Sequence, residues 1–292
     1  MITGANAGVG FETTLELARE NVKVIMACRN LHKAEAARQK ILDQIPAAEL
    51  QVLQLDISEP DSIASFTREF VEQVGELDLL INNAGIVGKE LQRNSVGQEM
   101  QIATNYLGCF SLTGQLMPYF RKETPTRILN IGSLAHRFGK LALDDFNWEH
   151  SAYNGWKGYA RSKIATMTYT VELNRRLQLA GSTTVALGAH PGFALTDIAH
   201  KTGALSTQNP VIAWLQKNMM QMIPTPAEAA RTILWAACSD TVQGGDYYGP
   251  GGFMEIAGTP AKAKINPVAL EPENGSRLWA LSEEMTGTRY LS

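Results

Sequence analysis

The chain has little of several features that would mark other functions. Its 3 cysteines, Cys28, Cys109 and Cys238, are odd in number and show no paired spacing, so no disulfide framework is expected and a reducing compartment is. Its 5 histidines form no His-Glu-x-x-His or comparable ligand pattern, and no metal is expected. No apolar run approaches the roughly 20 residues of a membrane-crossing helix, and no charged-then-apolar leader stands at the N-terminus. The expectation is a protein without a transmembrane segment, placed in the cytoplasm. Net charge is only -3, with no basic block or basic-aromatic stripe, which argues against nucleic acid and anionic membrane as partners. A small molecule is the expected partner, in a chain compatible with homo-oligomerisation. Repeats and dividing linkers are absent too, so 292 residues, 45% of them hydrophobic, read as one domain with one large core.

What is present begins at the N-terminus, where Thr3-Gly4-Ala5-Asn6-Ala7-Gly8-Val9-Gly10 precedes an amphipathic stretch with Leu15, Leu17 and Ala18. Three glycines let the backbone turn tightly and approach a pyrophosphate, whose charge the following helix N-terminus favours. Val22 to Cys28 reads as a strand, and Leu31, Ala34, Ile41 and Ile45 mark the helix after it. The alternation continues with strands over Leu50 to Leu55, Leu77 to Ile81, Ile128 to Ile131 and Thr183 to Leu187. A helix opened by Ser58 and Pro60 carries Ile63, Phe66, Phe70 and Val74 on one face. Thr225-Pro226-Ala227-Glu228 is a capping box opening another. Gly244 to Gly258 is expected to supply the last strand and its turn. The fold class is therefore α/β, a doubly wound parallel sheet of Rossmann type.

Tyr159 and Lys163, four apart on a helix face, place a phenol beside an ammonium that can stabilise the phenolate and lower its pKa. A second pair, Tyr153 and Lys157, has the same spacing. Asn154 and Gly155 between its members are poor helix residues, however, whereas Ile164, Ala165, Met167, Val171 and Leu173 continue a helical pattern after Lys163. Tyr159 is thus the expected general acid, Tyr153 a loop aromatic and Lys157 a solvated charge.

Thr3-Gly-x-x-x-Gly8-x-Gly10, Asn82-Asn83-Ala84-Gly85, Asn105, Ser133, Tyr159-x-x-x-Lys163 and Pro191-Gly192-x-x-x-Thr196 follow one another in register. In this the chain resembles the short-chain dehydrogenase/reductase family over nearly its whole length. Met26 to Asn30, Gly155 to Tyr159 and Leu278 to Ser282 look most similar to the branch of retinol dehydrogenases and protochlorophyllide reductase-like enzymes. The resemblance implies that Gly4, Asn6, Gly8, Val9 and Gly10 cradle the cofactor phosphates, that Asp56 and Ile57 bracket the adenine, and that Asn82, Ala84 and Gly85 line the adenosine side. Asn83 is expected to be structural. Pro191 and Gly192 would turn over the nicotinamide, with Thr196 bonding its carboxamide or the phosphates.

The same resemblance implies a catalytic set. Tyr159 would exchange a proton with the substrate oxygen while hydride passes between the adjacent carbon and the nicotinamide. Ser133 would hold that oxygen, Lys163 would stabilise the phenolate and bond the ribose, and Asn105 would hold a water behind the lysine. Each has a plain alternative, Ser133 as a turn serine, Asn105 as a buried amide satisfied by backbone and Asp56 as a turn aspartate. At the end of the second strand Ala27 and Cys28 carry no carboxylate for a ribose 2'-hydroxyl, and Arg29 follows, with Asn30 and Lys33 near it. An arginine fork suits a 2'-phosphate, so NADP(H) is the expected cofactor, although Ala7 is not basic.

Between Thr196 and Thr225, about 197–224, the family builds a substrate lid, and here Ile212, Trp214, Leu215, Met219 and Met222 give it an apolar face. A bulky apolar carbonyl or alcohol is the expected substrate, with reduction of a conjugated carbon-carbon double bond, or a non-catalytic dinucleotide sensor, as alternatives. Residues from about 259 to 292 form a C-terminal extension of the single domain. Only Met1 and Ile2 precede the glycine loop, whereas a buried central strand usually runs about five or six residues. The expectation is that coding sequence upstream holds an earlier start.

Overall fold

The computed structural model describes residues 1–192 and 224–291. Its strands are β1 (Ile2–Thr3), β2 (Val24–Cys28), β3 (Leu50–Gln54), β4 (Leu79–Asn82), β5 (Thr126–Ile131), β6 (Thr184–Ala189), β7 (Tyr247–Pro250) and β8 (Pro260–Lys262). They form one sheet in the order β3-β2-β1-β4-β5-β6-β7-β8. The strand order reverses beside β1, and at that switch point the carboxyl ends of the strands leave a crevice. All neighbours are parallel except β7 and β8, which are antiparallel. The expected doubly wound parallel sheet thus carries one antiparallel edge strand. The chain turns back after β7 through a loop tied by Gly251 N–H to Thr259 O (2.7 Å) and Gly252 N–H to Ala257 O (3.1 Å). The returning strand opens on Pro260, which has no N–H to donate and is tolerated at an edge.

The helices are α1 (Gly8–Arg19), α2 (Leu31–Leu42), α3 (Pro60–Gln73), α4 (Met100–Ile102), α5 (Gly108–Leu116), α6 (Gly155–Leu179), α7 (Pro226–Cys238) and α8 (Pro272–Thr286). A π-helical segment, Ala103–Leu107, joins α4 to α5. Alternate strand side chains face opposite layers, as the period of two requires. In β2, Val24, Met26 and Cys28 pack with residues of α1, α2 and α7, while Ile25 and Ala27 pack with residues of α3, α5 and α6. Because both faces are covered, the strand is a continuous apolar run rather than an alternating one. The capping box at Thr225 forms as expected, with Glu228 bonding back to the Thr225 N–H at 2.8 Å.

β1 has two residues, and its pairing continues into Met1, whose nitrogen donates to Leu79 O at 2.7 Å. Met1 O in turn accepts from Ile81 N–H at 2.9 Å. Met1 itself is buried, 7% exposed. Among the described residues no helix is long and apolar enough to cross a membrane.

Candidate active site

The site gathers at the carboxyl ends of β1, β4, β5 and β6. The glycine loop leaves β1 with Gly4 at φ +66°, its N–H donating to Ala27 O at 2.8 Å. At Gly10 an added Cβ would lie 2.5 Å from both Asn83 Nδ2 and Gly4 O, so the loop and α1 pack too closely for any side chain. Asn6 and Val9 are half-buried on the loop, and Ala7 and Gly8 are exposed. Ala7, at the α1 N-cap, supplies no side-chain cap, and the first turn holds no acidic residue. An open glycine and an uncapped helix N-terminus at the crevice fit the phosphates of a dinucleotide.

Thr3 and Asn83 brace this loop. The Thr3 hydroxyl accepts from the N–H groups of Asn83 (3.0 Å) and Ala84 (2.9 Å), and Asn83 Nδ2 donates to Thr3 O at 2.8 Å. Asn83 is therefore structural, as expected, and Ala84 is held beside Gly4. The Asn82 side chain turns into the sheet. Its amide is buried between strands and donates to Asn130 Oδ1 (2.9 Å) and Thr113 Oγ1 (3.2 Å), because β4 and β5 align the two asparagines.

Arg29 follows β2 with its side chain 73% exposed, and its guanidinium lies 3.8 Å from Asp56. At that distance and exposure the pair is a weak tether, which leaves the fork free to turn to a phosphate. Asn30 caps α2 by accepting from Lys33 N–H at 2.9 Å, which occupies its side-chain oxygen. Asp56 Oδ1 accepts from both the N–H (3.1 Å) and the hydroxyl (2.6 Å) of Ser58, the turn role that was its plain alternative. Ile57 is buried against Gly108.

The catalytic candidates converge. Asn154 caps α6 by accepting from Lys157 N–H at 3.0 Å, which leaves Tyr153 outside the helix and Lys157 exposed in its first turn. The Tyr153 hydroxyl is consumed by Glu99 and Gln101, each at 2.7 Å. Tyr159 and Lys163 lie one turn further in, both buried, with Lys163 Nζ 5.9 Å from the centre of the tyrosine ring. Lys163 donates to Ile131 O, at the end of β5, at 2.8 Å. Gly85 leaves it room: a Cβ there would sit 3.6 Å from Lys163 Nζ and 3.2 Å from Asn105 Oδ1. Ser133 caps the 3-10 turn Leu134–Phe138, accepting from Ala135 N–H at 3.2 Å. Asn105 sits in the π-helical segment, its amide bonded to Ile86 N–H (2.7 Å), Ile86 O (3.0 Å) and Ser162 Oγ (2.9 Å). Those bonds use both amide hydrogens and one lone pair of Oδ1; π-segments of this kind accompany functional sites.

Burial raises the Tyr159 phenol above 10.0, and the neighbouring Ser133 hydroxyl opposes this only in part. Burial therefore outweighs the lowering expected from Lys163. Burial also lowers Lys163, from 10.5 to about 8, so the ammonium is itself weakly held. Pro191 and Gly192 leave β6 half-buried, Gly192 at φ +82°. Thr196 and nearly all of the expected lid, with Ile212, Trp214, Leu215, Met219 and Met222, lie outside the described residues. Sequence reasoning did not single out Arg137, His190, Tyr247 or Glu255, which surround this turn. Only the position of His190 ahead of Pro191-Gly192 hinted at it. Among the described residues no group of three or more His, Cys, Asp and Glu side chains could hold a metal ion.

A sheet with a phosphate cradle at its switch point, and a buried tyrosine and lysine one helical turn apart beside a serine, defines a nicotinamide dinucleotide-dependent oxidoreductase. The family model for short chain dehydrogenases matches residues 1–205, and the chain belongs to that family. Within it the chain is similar to retinol dehydrogenase 13 of Homo sapiens, 35% identical over 295 residues that cover 98% of this chain and 84% of that protein. Retinol dehydrogenase 14 of Mus musculus is 32% identical over 302 residues, covering 98% of this chain and 85% of that protein. A crystal structure of an uncharacterized protein from Mycobacterium Paratuberculosis matches with a TM-score of 0.80 at 35% identity, covering 99% of this chain and 93% of that one.

Proposed function

We propose that the chain transfers hydride between NADP(H) and a bulky apolar alcohol or carbonyl compound, with Tyr159 as general acid and base. The carrying observation is the convergence of Ser133, Tyr159 and Lys163 at the end of β5, within reach of the crevice that the glycine loop opens. When bound, the nicotinamide supplies or accepts the hydride. Ser133 would hold the substrate oxygen and Tyr159 would move its proton, while Lys163 offers positive charge to the phenolate and donors to the ribose. Asn105, bonded to Ile86 and Ser162, holds the Gly85 segment and α6 together around the lysine. Gly4, Asn6, Gly8, Val9 and Gly10 would surround the phosphates. Ala84 and Gly85 would line the adenosine side, and Pro191 and Gly192 the nicotinamide.

Arg29 supports the choice of NADP(H), since no carboxylate stands at the end of β2 and the guanidinium is exposed. The substrate class rests on the apolar sequence ahead of Thr225 and on relatives named as retinol dehydrogenases, retinol being a bulky apolar alcohol. Steady-state kinetics with all-trans-retinal and retinol test the whole reading. NADPH is expected to exceed NADH in kcat/KM by about tenfold or more, and Arg29→Ala to remove that preference; equal use of the two cofactors overturns it. Tyr159→Phe is expected to abolish turnover with NADPH binding nearly intact, and Tyr153→Phe to be mild. Higher kcat/KM on small polar sugars than on retinal would reject the substrate class.

A further inference from the structure

Three segments that carry no shared sequence motif meet behind the Pro191-Gly192 turn. His190, at the end of β6 and fully buried, accepts from Gly192 N–H through Nδ1 at 3.2 Å. A backbone amide only donates, so Nδ1 carries no proton, and the ring is neutral with its proton on Nε2. That proton faces Glu255 Oε2 at 3.0 Å. The other oxygen of Glu255 forms an ion pair with Arg137, its Nη2 2.5 Å away though not aligned as a hydrogen bond, and Arg137 belongs to the 3-10 turn that Ser133 caps. One chain of polar contacts therefore runs from the exit of β5 to the exit of β6.

The surroundings are shaped to keep it. Met254 and Glu255 are held at φ 51° and 59°, a left-handed backbone that costs energy in both residues and that delivers the carboxylate to His190. Gly249 stands beside the imidazole, where an added Cβ would fall 1.9 Å from Nε2. Gly192 itself tolerates no side chain, since its Cβ would lie 2.2 Å from Ile256 O, in the same loop as Glu255. The rings of His136 and His190 both lie 5.1 Å from that of Tyr247.

We propose that Arg137, Glu255 and His190 form a clamp of positioning residues that fixes the Pro191-Gly192 turn relative to Ser133, and so sets the nicotinamide half of the dinucleotide site. This rests on the reading that Pro191 and Gly192 face the nicotinamide. Deleting the acceptor at Nδ1 or the carboxylate should free the Gly192 amide and loosen that half while the adenosine half, on the far side of β1, is untouched.

The test combines hydrogen exchange of the peptide containing Gly192 with binding of NADPH and of 2',5'-ADP, which reaches only the adenosine half. The variants are His190→Phe and the milder Glu255→Gln, compared with the native 292-residue chain. In free protein both variants are expected to speed exchange at Gly192. Both should also weaken NADPH by about tenfold while 2',5'-ADP stays within about twofold. NADH and ADP give the same comparison. Unchanged exchange at Gly192 in both variants, or parallel loss of both ligands, overturns the clamp. NADPH that fails to slow exchange at Gly192 in the native chain, while the variants still speed it, instead overturns the assignment of the turn to the nicotinamide.

Discussion

Burial lowers the Lys163 ammonium from 10.5 to about 8 while a single carbonyl, Ile131 O at 2.8 Å, receives it. Between those values the unfolded chain holds a proton that the folded one has released, so stability rises with pH across about 8 to 10.5. Below about 8 the charge stays and its whole cost is present, about 3 kcal/mol from a shift of this size. Lys163→Met keeps the aliphatic stem and removes the charge. At pH 7 it is expected to raise the unfolding free energy in urea by up to about 3 kcal/mol and to abolish turnover. A loss of stability would mean that the bond to Ile131 outweighs burial. Tyr159, raised above 10.0, is protonated at neutrality and ready to give its proton to a carbonyl oxygen. Alcohol oxidation needs the phenolate, so its kcat/KM should climb with alkaline pH while carbonyl reduction stays flat from about 6 to 8. An oxidation rate independent of pH across the alkaline range would remove Tyr159 as the base.

At the scale of elements, the exits of β5 and β6 carry the sharpest consequence. His136 and His190 are both held below 6.5 chiefly by burial, so the unfolded chain binds protons that the folded one does not, and stability rises with pH through the imidazole range. Urea midpoints should climb from about pH 5 to 7. A midpoint that is level over that range would show that the two rings are not desolvated. The strands from β2 to β7 and helix α6 were legible because each is a run of one period bounded by Gly, Asn or Pro, and those signals are local. The π-segment, the edge strand β8 and the clamp at Glu255 were not. The π-segment carries Asn105 between Ile86 and Ser162, partners 19 and 57 residues away. β8 is three residues long and begins with proline, and Glu255 reaches His190 only through two left-handed residues. Asn82 and Asp56 were placed by motif, yet their side chains answer to Asn130 and Ser58, which register and turn geometry supply.

Across the whole molecule, the residues after β8 decide whether the C-terminal extension is an appendage or part of the core. Trp279 of α8 is 2% exposed. Its ring lies 5.0 Å from that of Phe110 in α5, 6.0 Å from that of Tyr169 in α6 and 4.8 Å from that of Tyr290. The Arg176 guanidinium stands 4.3 Å over it, and its Nε1 donates to Glu283 at 3.0 Å. Tyr106, in the segment that carries Asn105, bonds Ser282 at 2.5 Å, and Tyr169 bonds Tyr290 at 2.9 Å. An extension tied this way to α5 and α6 shares its apolar burial with the layer that supports Tyr159 and Lys163, so it should unfold with the sheet and not before it. Trp279→Ala leaves a cavity among three aromatic rings and is expected to cost about 3 to 5 kcal/mol of a margin of about 5 to 15. Because Trp279 touches neither Tyr159 nor Lys163, kcat/KM at a temperature well below melting should change little. Thermal unfolding followed by near- and far-ultraviolet circular dichroism should give one transition in both proteins, moved down in the variant. Two separated transitions in the native chain, with only the earlier one sensitive to Trp279, would instead make the extension an independent unit.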